Sequence, residues 1–207
     1  MVNFSFPYTS ANPRQFWRRW HISLSNWLRD YVYVPLGGSR RSAWITYRNL
    51  ALTMTLGGLW HGAAWTFVAW GVYQAILLIS YRAMRVDREL APAARRPAYR
   101  SWLGVRLFFH VTCAGWLLFR ARSLGQASQM LHAVALAFGP PATVDARLLL
   151  VILLPLFVIE WLQIAGDDVL APLRLRPALR AVVYVSVFYL LVVYGAHHRR
   201  EFIYFQF

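Results

Sequence analysis

The chain has 207 residues, 58% of them hydrophobic and 14% charged, a balance that excludes most soluble enzymes, because ordinary globular chains carry about a quarter charged residues. Its net charge of +14 comes from 22 Arg against 8 acidic residues with no Lys. These arginines stand between apolar stretches, as topology-setting charge does in membrane proteins and a nucleic-acid footprint does not. The single cysteine, Cys113, excludes an internal disulfide and any Cys-based zinc site. The expected fold is therefore all-α, a polytopic membrane helical bundle with interfacial and re-entrant helices, in contact with a lipid bilayer and with no nucleic acid.

The opening MVNFSFPYTS has neither the basic nor the apolar region of a signal peptide, and residues 1–13 read as a connector. Asn12 and Pro13 are placed to cap and start the next helix. Over 14–34 the pattern predicts one amphipathic helix, with Trp17, Trp20, His21, Leu24 and Leu28 on one face and Arg18, Arg19, Asn26 and Arg29 mostly away from it. A helix this rich in Arg and Trp is expected to lie in the membrane interface. Pro35, Gly37 and Gly38 then stop it and open a basic loop from Ser39 to Arg48.

From Asn49 to Tyr81 there are 33 residues without Asp, Glu, Lys or Arg, more than the roughly 20 of one span and too few for two. Gly57, Gly58 and Gly62 cluster near the middle, which predicts a helix to about His61, a break, and a span from Ala63 to Tyr81. Backbone that is not helical survives at membrane depth only when packed in protein or facing a wet cavity, so the break is the first place to look for chemistry. The arginine-rich stretch 82–100 reads as a cytoplasmic loop. Spans are expected at 101–119, 148–165 and 181–196, with a re-entrant or interfacial segment from Ser123 to Phe138 and a tail at 197–207.

His61, in G-G-L-W-H-G-A, lies at the expected break and far in sequence from any charged residue. An ionisable side chain at membrane depth is costly and marks a functional site by default. A neutral imidazole there can take a proton from a hydroxyl as a general base; the plainer alternative is a histidine hydrogen-bonding across helices. His21, between Trp20 and Leu24, reads on composition first as an interfacial anchor beside tryptophans, with Asn26 and Asp30 as candidate polar partners. No H-x-x-x-H or H-E-x-x-H spacing is present, so no local metal motif is read and no cofactor is called for. Arg106 and His110 share a helix face, and pairing inside a bundle, Glu160 with Arg106 among the options, is the commoner reason for such residues.

Five blocks carry a resemblance: F-S-F-P-Y (4–8), F-W-R-R-W-H-I-S-L-S-N-W-L-R-D-Y-V-Y-V-P-L-G-G (16–38), G-G-L-W-H-G-A-A-W-T-F-V-A-W-G (57–71), W-L-L-F-R-A (116–121) and F-I-Y-F-Q-F (202–207). Together they resemble the membrane-bound O-acyltransferase family, above all its bacterial branch that O-acetylates alginate or D-alanylates teichoic acid. The second and third blocks are highly specific in this order and spacing. The resemblance implies that His61 is the family's catalytic histidine and His21 its second signature histidine, near the cytoplasmic mouth of a tunnel. It further implies an acyl donor held as a cytoplasmic thioester, on coenzyme A or a carrier protein, and an acceptor hydroxyl. The acyl group, acetyl in the simplest reading, would serve O-acetylation of an exported polysaccharide, with a periplasmic acyltransferase or esterase-like partner. The setting implied is the bacterial inner membrane, crossed several times.

Within that resemblance Arg18, Arg19 and Arg29, with Arg40 and Arg41, are candidates to attract an anionic donor, and anionic lipid headgroups explain them as well. The last block resembles an acceptor motif in which a tyrosine carries the acyl group as a covalent relay. Tyr204 is the candidate, with Phe202 and Phe207 as anchors; an interfacial aromatic belt is the alternative. Family members have many helices before the F-P-Y block, so the chain reads as the C-terminal portion of a transferase. Two other classes remain as alternatives. A non-catalytic transporter or scaffold would show inverted repeats, which the sequence lacks. A haem- or metal-binding membrane protein using His21, His61 or His110 would need paired ligands at equal depth, which an interfacial His21 does not suit.

Overall fold

A computed structural model describes residues 2–84, 98–136, 146–166, 168 and 170–194. All regular structure among them is helical, as expected for an all-α membrane fold. The described residues fall into two compact units, one through Leu136 and one from Ala146 onward.

The first unit opens with a single turn, Pro7–Thr9, followed by α1 (Pro13–Trp17) and α2 (Ile22–Leu28). Asn12 caps α1, its Oδ1 accepting from the Gln15 amide at 2.9 Å, while Gln15 Oε1 accepts from the Ala11 amide at 2.9 Å. This is a reciprocal cap that satisfies two orphan amides. The single interfacial helix expected over 14–34 is instead two short helices separated at residues 18–21, with His21 in the left-handed region at φ 43°. The physical reason is a tertiary one. The N-terminal segment lies along the break and takes its backbone hydrogen bonds, the Ser5 amide donating to Arg19 O and the Ile22 amide to Asn3 O, each at 2.9 Å. After α2 the chain widens into a π-helical turn over Arg29–Tyr33.

α3 spans Ala43–Trp60 and α4 spans Trp65–Ala83. The expected basic loop 39–48 is therefore shorter, its second half forming the first turn and more of α3. The loop before it is held by Asn49, fully buried, whose Nδ2 donates to the carbonyls of Leu36 and Gly38 at 3.1 Å each.

Gly58, expected to weaken the helix, does something else together with Gly71. Gly58 on α3 and Gly71 on α4 lie where the helices cross, and a Cβ on Gly58 would run into the Phe67 carbonyl while one on Gly71 would meet the Met54 carbonyl. They permit close helix contact, and the break belongs to residues 61–64 alone.

α5 (Ala98–Arg120) and α6 (Leu124–Leu136) complete this unit. Within α5, Trp102–Arg120 is long and apolar enough to cross a membrane, with mean hydropathy 1.4. Trp102, Leu103 and Leu107 on it are exposed, the surface a lipid-facing span requires. The Tyr73 hydroxyl donates to the Val111 carbonyl at 2.7 Å and fastens α4 to α5. The second unit consists of α7 (Ala146–Ala165), a short turn at Ala171–Arg174 and α8 (Pro177–Tyr194), in the regions where spans were expected. Asp168 pairs with Arg174 at 3.1 Å in the connection. The tail 197–207 with Tyr204, most of the 82–100 arginine loop and Gly139-Pro140-Pro141 lie outside the described residues.

Candidate active site

The break between α3 and α4 places His61 as the residue that ends α3, in a right-handed conformation at φ −78° and only 7% exposed. The next residue, Gly62, carries the φ of +151° that turns the chain. A Cβ there would lie 2.8 Å from the Phe67 ring, so both backbone and space call for glycine. Around His61 the walls are aromatic. Its ring stands edge-on to Phe119 at 4.9 Å and to Trp70 at 5.3 Å, centroid to centroid. Trp70 is 2% exposed and stacks with Trp116 at 6.2 Å, so α4 and α5 close this side.

His21 comes from the other break. Its ring lies 5.7 Å from Trp60 and 5.9 Å from Phe4, and its Nδ1 is buried with no hydrogen-bond partner among the described residues. Burial lowers the affinity of this imidazole for a proton relative to an ordinary histidine.

Both histidines, forty positions apart in sequence, line one cavity of about 440 Å³. Tyr8 lines it too, and the rest of the wall is Phe4, Trp20, Trp70, Trp116 and Phe119. The volume is within the range of small-molecule sites, which are mostly apolar with a few convergent polar groups. The indole N–H groups of Trp17, Trp70 and Trp116 are also buried with no partner among the described residues. An unmade hydrogen bond costs about 1–3 kcal/mol, so this concentration of donors is unusual for a region built only to pack.

The arginines separate into different environments. Arg19 turns inward, its Nη1 donating to Thr9 Oγ1 at 2.8 Å and to the Phe6 carbonyl at 3.5 Å, so its guanidinium helps fasten the N-terminal turn. Arg18 is exposed. Arg29 is exposed and makes a two-point ion pair with Asp30, at 2.7 and 3.1 Å. Its hydrogen bonds hold the Asp30 carboxyl below the usual carboxylate range. Asp30 is thus the partner of Arg29, and Asn26 is exposed. On α5, Arg106 and His110 are exposed, His110 Nδ1 donating to the Arg106 carbonyl at 2.8 Å within the helix.

Sequence reasoning did not single out Tyr8, Trp70, Trp116 or Phe119 as wall residues. Their blocks, F-P-Y and W-L-L-F-R-A, were visible, but in a chain that is 16% aromatic no local signal separates a cavity wall from a membrane-facing belt.

The profile described as MBOAT, membrane-bound O-acyltransferase family, matches residues 2–119. The chain is 50% identical over 139 residues to the probable alginate O-acetylase AlgI of Azotobacter vinelandii, covering 67% of this chain and 26% of that protein. It is 42% identical over 135 residues to the peptidoglycan O-acetyltransferase of Helicobacter pylori, covering 63% and 24%. With the teichoic acid D-alanyltransferase of Bacillus subtilis it shares 32% identity over 127 residues, covering 58% and 32%. The matched part of the chain spans about a quarter to a third of the length of these relatives.

Proposed function

Because this chain belongs to the membrane-bound O-acyltransferase family, we propose that it supplies the acyl-transfer site of a membrane O-acyltransferase that modifies hydroxyl groups of an exported polysaccharide. The supporting observation is the convergence of His21 and His61 on one aromatic cavity from two separate helix breaks. The names of the relatives, alginate O-acetylase and peptidoglycan O-acetyltransferase, favour acetyl as the group moved and a polysaccharide as its destination.

In this reading the donor is a cytoplasmic thioester, on coenzyme A or on a carrier protein, and no bound cofactor takes part. His61 acts as general base. It accepts the proton of the attacking hydroxyl as the oxygen bonds to the thioester carbonyl carbon, and returns it to the departing thiolate. His21 lines the same cavity and orients donor or acceptor. Aromatic walls around His61 limit water, which protects the thioester from hydrolysis. Exposed Arg18 and Arg29 attract the anionic donor, whereas Arg19 acts through the local structure it holds.

Tyr204 is the proposed acyl relay, its phenol oxygen accepting the acyl group before a periplasmic acyltransferase or esterase-like partner passes it on. The setting is the bacterial inner membrane, crossed by several helices. Among the described residues α5 is the one helix long and apolar enough to span, and shorter apolar stretches lie at Leu153–Ala165 in α7 and Pro177–Leu190 in α8.

The test replaces His61 by Ala in the chromosomal gene of the native host and follows transfer from radiolabelled acetyl-coenzyme A in isolated membranes. Transfer is expected to fall by at least on the order of 10²-fold, the scale of general acid–base catalysis; undiminished transfer would refute the assignment. For the relay, mapping of labelled peptides is expected to place label on the C-terminal peptide of the native protein and remove it in Tyr204→Phe. Label persisting there in the variant would dispose of the relay.

A further inference from the structure

The W-L-L-F-R-A block has no part in the chemistry above, yet it brings two rings, Trp116 and Phe119, to the wall of the cavity. Four aromatic rings touch the His61 imidazole: Trp60 at 4.9 Å, Phe67 at 6.2 Å, Trp70 at 5.3 Å and Phe119 at 4.9 Å between centroids. Of these four, Trp70 and Phe119 also line the cavity, so they form its wall beside the base. This wall has little room to yield. Phe119 packs edge-on against Phe67 at 5.0 Å, Trp70 at 5.5 Å and Trp116 at 5.8 Å. Phe67 lies so near the break that a Cβ on Gly62 would stand 2.8 Å from its ring, and Trp70 is 2% exposed. Close-packed rings of this kind cannot move aside for added volume without strain. The part of the wall supplied by the N-terminal segment is different, for Phe4 and Tyr8 are 46% and 39% exposed. The cavity thus has a closed side at α4 and α5 and an open side at the N-terminal segment.

We propose that Phe119, backed by this cluster, sets the size of the acyl group that the site transfers, admitting acetyl and turning away longer chains. The inference rests on the acyl-transfer reading above and names the residue that gives it its choice of acyl group. A hydroxyl that gives its proton to His61 lies within about 3 Å of the imidazole, and the carbonyl carbon it attacks within about 3.5 Å of that oxygen. The reacting carbon is therefore beside Trp70 and Phe119. As the carbon–oxygen bond forms and the carbon–sulfur bond breaks, the proton passes through His61 to the thiolate, and the acyl substituent stays on the carbon throughout. The sulfur carries a donor arm too long for the closed side, so the arm runs toward Phe4 and Tyr8. The acyl substituent is left facing Phe119. A methyl group finds apolar contact there, whereas each further carbon presses on a ring held from behind by Phe67. One methylene too many in an apolar pocket changes kcat/KM by about 10- to 200-fold.

The experiment uses membranes of the native host with Phe119→Ala or Phe119→Leu in the chromosomal gene, beside His61→Ala and the unaltered protein. Each is given radiolabelled acetyl-, propionyl- or butyryl-coenzyme A. The readout is the ratio of kcat/KM for the longer donor to that for acetyl within one variant, a ratio that loss of folded protein does not move. The unaltered protein is expected to favour acetyl over butyryl by at least about tenfold. Phe119→Ala is expected to raise the butyryl ratio by at least about tenfold. Phe119→Leu, which keeps more of the packing, should raise the propionyl ratio by a smaller factor. Phe4→Ala, on the open side, is expected to leave both ratios where they are, whatever it does to the rate. Equal use of acetyl and butyryl by the unaltered protein, unmoved ratios in the Phe119 variants, or an equal rise in Phe4→Ala would overturn the proposal. If His61→Ala abolishes transfer in that case, only the Phe119 assignment fails. Undiminished transfer in His61→Ala, or no transfer by unaltered membranes, would sink the reading beneath it and the proposal together.

Discussion

The two breaks that bring histidines to the cavity solve the same problem differently. At 61–64 the histidine itself keeps right-handed backbone and the following glycine takes the φ that α3 and α4 need to separate. At 18–21 no glycine is present, and His21 takes the left-handed conformation on its own backbone. The first break is encoded locally. The second is imposed by the N-terminal segment, through the bonds of Asn3 and Ser5 to residues 19–23. A local device should be sensitive to its own glycine, and an imposed one to the residues that impose it.

The largest effect on stability is expected from Gly62→Ala, which combines a φ of +151° with a Cβ 2.8 Å from the Phe67 ring. A loss of about 1–3 kcal/mol follows from the backbone alone, and acyl transfer should fall with it because His61 is displaced. Thermal unfolding in detergent measures the first and the membrane assay the second. Should Gly62→Ala unfold like the unaltered protein, the break would not depend on its glycine.

Arg19→Met comes next. It removes the donor to Thr9 Oγ1 and the Phe6 carbonyl while keeping much of the side-chain volume. A hydrogen bond from a charged group is worth about 1.5–3 kcal/mol, reduced toward about 1 kcal/mol by the partial solvent exposure of this one. The informative readout is functional. Because Arg19 ties the N-terminal turn to the segment that carries His21, kcat should drop more than KM for the donor rises. A change confined to KM would instead return Arg19 to the donor-docking role its sequence position suggested.

His21→Asn separates backbone from imidazole. Asparagine tolerates the left-handed conformation better than histidine, so relief of roughly 1 kcal/mol should offset the lost ring contacts with Trp60 and Phe4. Stability is expected to change little while acyl transfer falls. A variant that remained fully active would show that the position, and not the imidazole, is what the fold needs there.

How far the sequence was legible follows the same division. The break at His61 could be read because glycines interrupt an uncharged apolar run, a signal within a few residues of its cause. The break at His21 could not, since Trp17, Trp20, Leu24 and Leu28 keep helical spacing straight through it and the competing hydrogen bonds come from residues 3 and 5. Gly58 shows the limit from the other side. It was legible as a helix weakener, yet only the crossing partner, with Phe67 and Gly71 against it, shows that it serves close packing. Arg19 and Arg29 looked alike as basic residues flanking an apolar face, and only tertiary contacts turn one inward and leave the other paired in solvent.

That last contrast yields the smallest expected effect. Arg29 and Asp30 are both exposed, and an exposed ion pair adds little to stability, so Asp30→Asn should leave thermal unfolding unchanged. Its consequence lies in long-range attraction. Asp30 stays ionised into mild acid because Arg29 hydrogen-bonds its carboxylate, so in the unaltered protein it cancels the Arg29 charge through that range. Removing the carboxylate leaves Arg29 unopposed. If Arg29 draws in an anionic thioester, KM for acetyl-coenzyme A should fall modestly at low ionic strength, and the difference should vanish as salt shortens the reach of the charge to a few ångströms. A KM indifferent to Asp30→Asn at low salt would assign the exposed arginine to lipid headgroups, and would leave the donor to be recognised by the cavity itself.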